Sequence, residues 1–350
     1  MSKKTEEELL EFIERNAVKY LDLPNVTSVG VAYKIKDLQL TDELAIRFTV
    51  KNKLSIERLE AEGMQPLPSA FIDQDDVAIP TDVVARSYRL SHKILNEATL
   101  PEPLPTLAAA EPSRRSRFST LRPGISVGNI SLSLSGTIGA IVYDALNGTP
   151  YLLSNWHILC GEQGKAGNKI VQPSKNDSNQ VFSNLTGKLI RSHLGIEGDC
   201  AIASISERGI NENILGLNIT PRRIAIPNLN DKVVKSGRTT AVTYGIVNCL
   251  GIFKNNYQGS LGERQVAGFE IRPNPDKKPL TGEISGSGDS GSLWLIDTDT
   301  DEKNVAVGLH FAGEAAHNPA EHALACNIDS VFQMLQISFV NPLIPFLNRH

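Results

Sequence analysis

The stretch "SGSGDSGSLW" (285–294) sets Ser290 among glycines and small polar residues and then runs straight into an apolar strand. Such a setting can hold a hydroxyl out of a tight turn while nearby backbone N–H groups face a pocket. A serine hydroxyl is a weak nucleophile at neutral pH and needs a base within hydrogen-bond reach, most often a histidine. That histidine in turn needs an acceptor on its second ring nitrogen. His157 stands out among seven histidines because "YLLSNWHILC" places it at the end of an apolar strand. Asp199, in "GIEGDCAIASI", opens another apolar strand, where a carboxylate is desolvated and directed. His193, in the polar turn "IRSHLGIEG", is the second candidate base. The order His157, Asp199, Ser290, with spacings of 42 and 91 residues, fits acyl transfer through a serine ester.

These groups need rigid elements around them. From about Pro123 onward, runs rich in Val, Ile, Leu and Thr alternate with Gly, Asn, Asp and Pro clusters, as in "GTIGAIVYD", "DCAIASI", "DKVVKSGRTTAVTYGIVN" and "NVAVGLHFAG". Many short strands with regular turns predict a mainly β barrel or sandwich, closed by a helix over "IDSVFQMLQ". Residues 1–90 read as a small α+β unit. It has a helix opened by a Thr5/Glu8 capping box, strands "VTSVGVAYKI" and "ELAIRFTVKN", and a short helix in "SIERLEAEG". Residues 91–122, rich in Pro, Ala and Ser, read as a linker that ends in a basic cluster, Arg114, Arg115, Arg117 and Arg122, solvated or, in the alternative, a processing or docking site. Residues 123–350 form the third segment.

Together, "LLSNWHIL", "VVKSGRTTAVTYGIV" and "GDSGSLW" resemble the chymotrypsin-like (trypsin-fold) serine peptidases, and within them the intracellular-type trypsin-like proteins of bacteria and plants. The resemblance covers roughly residues 125 to 340. It implies a double β-barrel with Ser290 as nucleophile, His157 as general base and then acid, and Asp199 as its orienter. It also implies an oxyanion hole made by the N–H groups of Gly288 and Ser290. Asp289 would hold the turn in shape. In secreted relatives this aspartate pairs with a new N-terminal amine, but no obvious activation site precedes "GISVGN" (124–129). The pocket would be walled by Ile284, Ser285, Ser287 and His310. Ile284 stands where an Arg- or Lys-directed enzyme carries an aspartate, so a trypsin-like preference is not expected. "GLH" at His310 resembles the glutamyl endopeptidases and viral 3C-like proteases, which implies Glu or Gln before the cut. In the alternative, His310 packs inside the barrel and the pocket takes a small apolar side chain. With a Glu pocket, the bond after Glu97 becomes a self-cleavage candidate.

Composition bounds the rest. A net charge of −4 argues against nucleic acid as a partner, and no run is long enough to span a membrane. The charged N-terminus lacks the apolar core of a secretory signal. Four scattered cysteines without a C-x-x-C pair suggest reduced thiols in a cytoplasm rather than a zinc site or a disulfide framework. The expected protein is therefore a cytoplasmic serine endopeptidase that uses no metal or cofactor and acts on proteins or peptides. Its N-terminal unit would restrain it as in a zymogen, or bind a regulatory protein. A catalytically silent peptidase fold that binds a partner, and an esterase with the same triad, are the alternatives.

Overall fold

A computed structural model describes residues 4–37, 39–90, 93–94, 113–257, 259–279, 282–314 and 321–343. The N-terminal unit contains α1 (Glu6–Asn16), β1 (Val26–Lys36), β2 (Gln39–Val50), α2 (Ile56–Ala61), β3 (Ala70–Ile72), β4 (Ala78–Ala85) and β5 (Tyr88–Leu90), and β6 (Lys93–Ile94) follows in the segment read as a linker. Next come β7 (Thr120–Leu121), β8 (Ser126–Asn129), β9 (Leu134–Thr137), β10 (Ala140–Asp144), β11 (Pro150–Ser154), α3 (Trp156–Leu159), β12 (Lys169–Val171), β13 (Leu185–Gly195), β14 (Gly198–Ser204), β15 (Gly209–Ile210) and β16 (Arg223–Ile224). The remainder is β17 (Lys232–Gly237), β18 (Ala241–Asn256), β19 (Glu263–Pro273), β20 (Leu293–Ile296), β21 (Val305–Glu314), β22 (Ala323–Asn327), α4 (Ile328–Leu335) and β23 (Ile337–Ser338). The mainly β expectation holds.

Two barrels follow from the pairing. In the first, strands run in the order β10, β11, β14, β13, β12, β8, β9, and the ends of that path, β9 and β10, are joined through Ile138 and Gly139 alone. Its interior is lined by Val127, Ile138, Ile141, Leu152, Ile170 and Ala201, all buried. In the second, β17, β20, β21, β22, β19 and β18 pair in sequence and β18 returns to β17, which closes six antiparallel strands. Closure leaves no free edge within the ring.

The N-terminal strands extend that second sheet. β18 is 16 residues long, and its outer half pairs antiparallel with β1, Gly30 facing Gly251. Two glycines meet there because the backbones are pressed together. A Cβ on Gly30 would lie 2.5 Å from the Leu250 carbonyl oxygen. β2 and β4 continue the sheet outward. The Thr5/Glu8 capping box forms, and α1 buries Leu9 and Ile13 against a core shared with Val29, Phe48, Leu250, Phe269 and Trp294.

Three local expectations change. His157 lies not on a strand but in the one-turn helix α3 that follows β11. His193 is on strand β13, not in a turn, and its Nε2 meets Glu197 at 2.9 Å. Arg114 is buried rather than solvated, its guanidinium donating to Gly124 O, Ser236 Oγ and Leu215 O. Glu97 lies outside the described residues. Among those residues no helix is long and apolar enough to cross a membrane. All four cysteines are buried and unbridged.

Candidate active site

Three side chains, from α3, from β14 and from the turn before β20, meet where the barrels face each other. α3 begins at Asn155, whose Nδ2 donates to the Asp199 carbonyl at 2.7 Å and so ties the helix start to β14. Asp199 Oδ1 accepts the His157 backbone N–H at 3.1 Å, while Oδ2 lies 2.5 Å from His157 Nδ1. His157 Nε2 is then 2.9 Å from Ser290 Oγ. The sequence-derived residues His157, Asp199 and Ser290 are thus in one hydrogen-bonded line, and His193 is not part of it. With Asp199 accepting at Nδ1–H, Nε2 is free to accept the serine proton.

Asp199 has a further partner. Tyr257, between β18 and β19, donates its hydroxyl to Asp199 Oδ2 at 2.8 Å and packs edge-on to the His157 ring. Burial and the adjacent carboxylate raise this hydroxyl well above the usual tyrosine range, so it stays a donor. Nothing in "NNYQG" singles this tyrosine out in the sequence.

The turn around Ser290 is held from behind. Gly288 and Gly291 have φ of +109° and +93°, which bulkier residues rarely adopt. Ser287 O accepts from Thr239 Oγ1 at 2.7 Å, and Asp289 O accepts from the Ser292 N–H at 3.0 Å. In a trans peptide the N–H points opposite the carbonyl. Fixing these two carbonyls therefore fixes the N–H groups of Gly288 and Ser290 on the other side. Among the described residues neither N–H donates to a protein acceptor.

Asp289 is the anchor of the turn. It is wholly buried and accepts from Thr239 N, Thr240 N, Gly286 N and Thr240 Oγ1, and its Oδ2 lies 3.1 Å from Lys235 Nζ. The carboxyl is held well below the usual aspartate range, chiefly by the Lys235 charge working against burial. Burial presses Lys235 itself below its usual range, and the facing carboxylate opposes this. The cation facing Asp289 is thus an internal lysine.

The predicted pocket residues differ in exposure. Ile284 is fully buried in the core around Trp294. Ser285 is buried and Ser287 half-buried. His310 is also fully buried, edge-on to Trp294 with 6.3 Å between ring centres. Burial and the nearby Lys235 charge push its pKa down to about 3, which leaves the ring neutral. Neither ring nitrogen has a well-formed hydrogen bond among the described residues, although the Leu324 backbone approaches. Sequence reasoning missed Glu321, whose carboxylate accepts from Ile284 N at 2.7 Å and Ser285 N at 3.3 Å. Burial pushes this carboxyl up to about 8.

No protein-family model matches the chain, and no curated protein matches it by sequence. Among solved structures, a glutamic-acid-specific serine protease is 17% identical over 62% of this chain and 99% of its own, with a TM-score of 0.46. Thermobifida fusca protease A is 15% identical over 63% and 99%, also at 0.46. Cellulomonas bogoriensis chymotrypsin is 17% identical over 63% and 100%, at 0.44.

Proposed function

We propose that this chain is a serine endopeptidase that works through an acyl-enzyme on Ser290. The observation that carries this reading is the buried line from Asp199 through His157 to Ser290. His157 Nε2 takes the Ser290 proton as Oγ attacks the scissile carbonyl, then delivers it to the leaving amine. Asp199, held by Tyr257 and the His157 backbone, stabilises the imidazolium between these steps. The N–H groups of Gly288 and Ser290 receive the developing oxyanion, a contribution commonly worth ~10²–10³ in rate. The Lys235–Asp289 pair supports a turn that needs no new N-terminal amine to take shape.

A pocket for a small uncharged side chain agrees best with buried Ile284 and with a Glu321 that keeps its proton at neutral pH. A preference for Glu or Gln would instead draw on the His310 ring nitrogens, neither of which has a well-formed hydrogen bond among the described residues. A positional-scanning peptide library tests this, and enrichment of Glu before the cut would overturn the small-residue preference.

Fluorophosphonate labelling read by peptide mass spectrometry tests the activity itself. An adduct on Ser290, absent in Ser290→Ala together with peptide hydrolysis, is the expected result. Hydrolysis by Ser290→Ala at the wild-type rate would overturn the assignment. Turnover of esters without any cleavage of peptides would favour an esterase.

A further inference from the structure

The turn between β17 and β18, "SGRTT" (236–240), serves the nucleophile from two sides. Thr239 and Thr240 hold Asp289 through their N–H groups. Arg238 reaches the other way, into the first barrel. Its Nε donates to Asp177 Oδ2 at 2.8 Å and its Nη2 to Asp177 Oδ1. Asp177 belongs to the connection between β12 and β13, and its Oδ2 also accepts from Ser126 Oγ at 2.6 Å and Ser174 Oγ at 3.0 Å. Burial alone would raise this carboxyl, but the guanidinium and the two hydroxyls hold it below the usual aspartate range. Both side chains of the pair are buried, at 1% and 4% exposure. A planar guanidinium gripped by two parallel bonds has little freedom left.

Two further N–H groups of Arg238 meet hydroxyls. Nη1 donates to Thr239 Oγ1 at 3.0 Å, and the backbone N–H donates to Oγ1 of Thr137, the last residue of β9, at 3.0 Å. A threonine hydroxyl has a single proton. Each of these oxygens accepts from Arg238, so each proton is turned to its other neighbour. Thr239 Oγ1 donates to Ser287 O at 2.7 Å, and Thr137 Oγ1 donates to Gly288 O at 2.8 Å. Those carbonyls belong to the two peptide groups that flank Gly288. The guanidinium also lies against the Gly288 backbone, where an added Cβ would stand 2.7 Å from Nη1.

Gly288 is the point at which this turn is least secure. Glycine has more conformational freedom than any other residue, and rotating the peptide between Ser287 and Gly288 would swing the Gly288 N–H to the opposite side. A pinned carbonyl on each side of the glycine opposes that rotation. Both pins trace to one arginine, and its anchor sits on the barrel that carries His157 and Asp199.

We propose that Arg238 is a positioning residue for the oxyanion: clamped by Asp177, it directs the Thr239 and Thr137 hydroxyls onto the carbonyls flanking Gly288 and so fixes the Gly288 N–H for the tetrahedral intermediate formed at Ser290. The role rests on Ser290 and the Gly288 N–H working as proposed above. Arg238 makes and breaks no bond; the proton still passes between Ser290 and His157.

The test compares the full-length wild type with Arg238→Met, Arg238→Lys and Thr239→Val. The readouts are the rate of fluorophosphonate labelling of Ser290, kcat and KM across pH for a peptide p-nitroanilide ending in Ala, and the urea midpoint. In Arg238→Met, labelling should slow ~10²-fold, the size of effect expected from one misplaced oxyanion donor. kcat should fall while KM stays within about twofold, the pattern of an interaction made only in the transition state. The pH midpoint of activity should not move, since the His157–Asp199 pair keeps its partners. Arg238→Lys should restore little, because an ammonium cannot serve both Asp177 oxygens and Thr239 together. Thr239→Val keeps the ion pair and should slow labelling about tenfold, as for one lost hydrogen bond; it decides the matter if Arg238→Met does not fold. Thr239→Val or a folded Arg238→Met labelled at the wild-type rate overturns the positioning role and leaves the peptidase reading standing. A raised KM at unchanged kcat, or full rescue by Arg238→Lys, overturns it as well. A wild type never labelled on Ser290 overturns the peptidase reading and the role of Arg238 with it.

Discussion

Replacing Lys235 by Met tests whether the Lys235–Asp289 pair holds the nucleophile turn. Both side chains are wholly buried, with Nζ 3.1 Å from Oδ2 and 2.9 Å from Thr240 Oγ1. Met keeps most of the length and removes the charge, so Asp289 is left without its cation. Removing one partner of a buried pair costs about 3–5 kcal/mol, because the survivor is an uncompensated charge. Here Asp289 keeps three backbone N–H donors and one hydroxyl donor, which places the expected loss near the lower end, about 3 kcal/mol. That is a large share of the ~5–15 kcal/mol that holds a domain folded. Urea unfolding is the assay, with fluorophosphonate labelling of Ser290 alongside; the midpoint should fall with little change in slope. Labelling should slow by at least ~10²-fold, as expected when a turn no longer presents its N–H groups. The double variant Lys235→Met/Asp289→Asn removes the stranded charge and should regain about 2 kcal/mol or more, a coupling typical of groups in direct contact. A Lys235→Met protein within about 1 kcal/mol of wild type, labelled at the wild-type rate, would refute the reasoning.

Other perturbations separate the remaining parts of the site. Tyr257→Phe removes one donor to buried Asp199 and should cost about 1.5 kcal/mol in urea unfolding, as for a hydrogen bond to a charged group, and slow peptide hydrolysis about tenfold. Gly288→Ala meets both a φ of +109° and a Cβ position 2.7 Å from Arg238 Nη1 and Thr239 Oγ1, so the labelling rate should drop ~10²–10³-fold. Glu321, raised to about 8, binds its proton more tightly in the folded than in the unfolded chain. Stability should therefore decline as pH rises from about 4.5 to about 8, and Glu321→Gln should flatten that decline in urea midpoints. Asp289 and Glu270 shift the opposite way, both lowered, so their contribution is present above the ordinary carboxylate range and is lost as pH falls below it. Unfolding midpoints measured from pH 6 downward to about pH 2 check this sign.

The parts of the site that could be read from the chain are those with a local signature. Ser290 is announced by glycines that only a strained turn requires, and His157 and Asp199 by polar residues at the margins of apolar runs. The strand-rich texture after Pro123 likewise follows from short β-branched runs between turn residues. What escaped reading depends on distance. Tyr257 reaches Asp199 from 58 positions away, and Glu321 reaches Ile284 from 37. Lys235 stands in a quoted motif, yet a lysine in a strand gives no sign of being buried until the barrel closes around it. Arg114 reads as a solvated linker cation because its acceptors among the described residues lie on segments up to 122 residues further along. The antiparallel seam between β1 and β18 joins segments more than two hundred positions apart, and neither strand carries a mark of the other.

That seam makes covalent integrity and assembly separate properties of this molecule. The N-terminal strands are hydrogen-bonded into the same sheet as the second barrel, and α1 contributes Leu9 and Ile13 to a core that includes Phe269 and Trp294. A break anywhere between β5 and β7 would leave two polypeptides behaving as one particle, migrating together on a sizing column and apart only in detergent. Expressing residues 113–350 alone would uncover the flank of β18, and an uncovered strand edge recruits other chains. Co-expression of the two pieces, rather than removal of one, is the way to keep that edge covered.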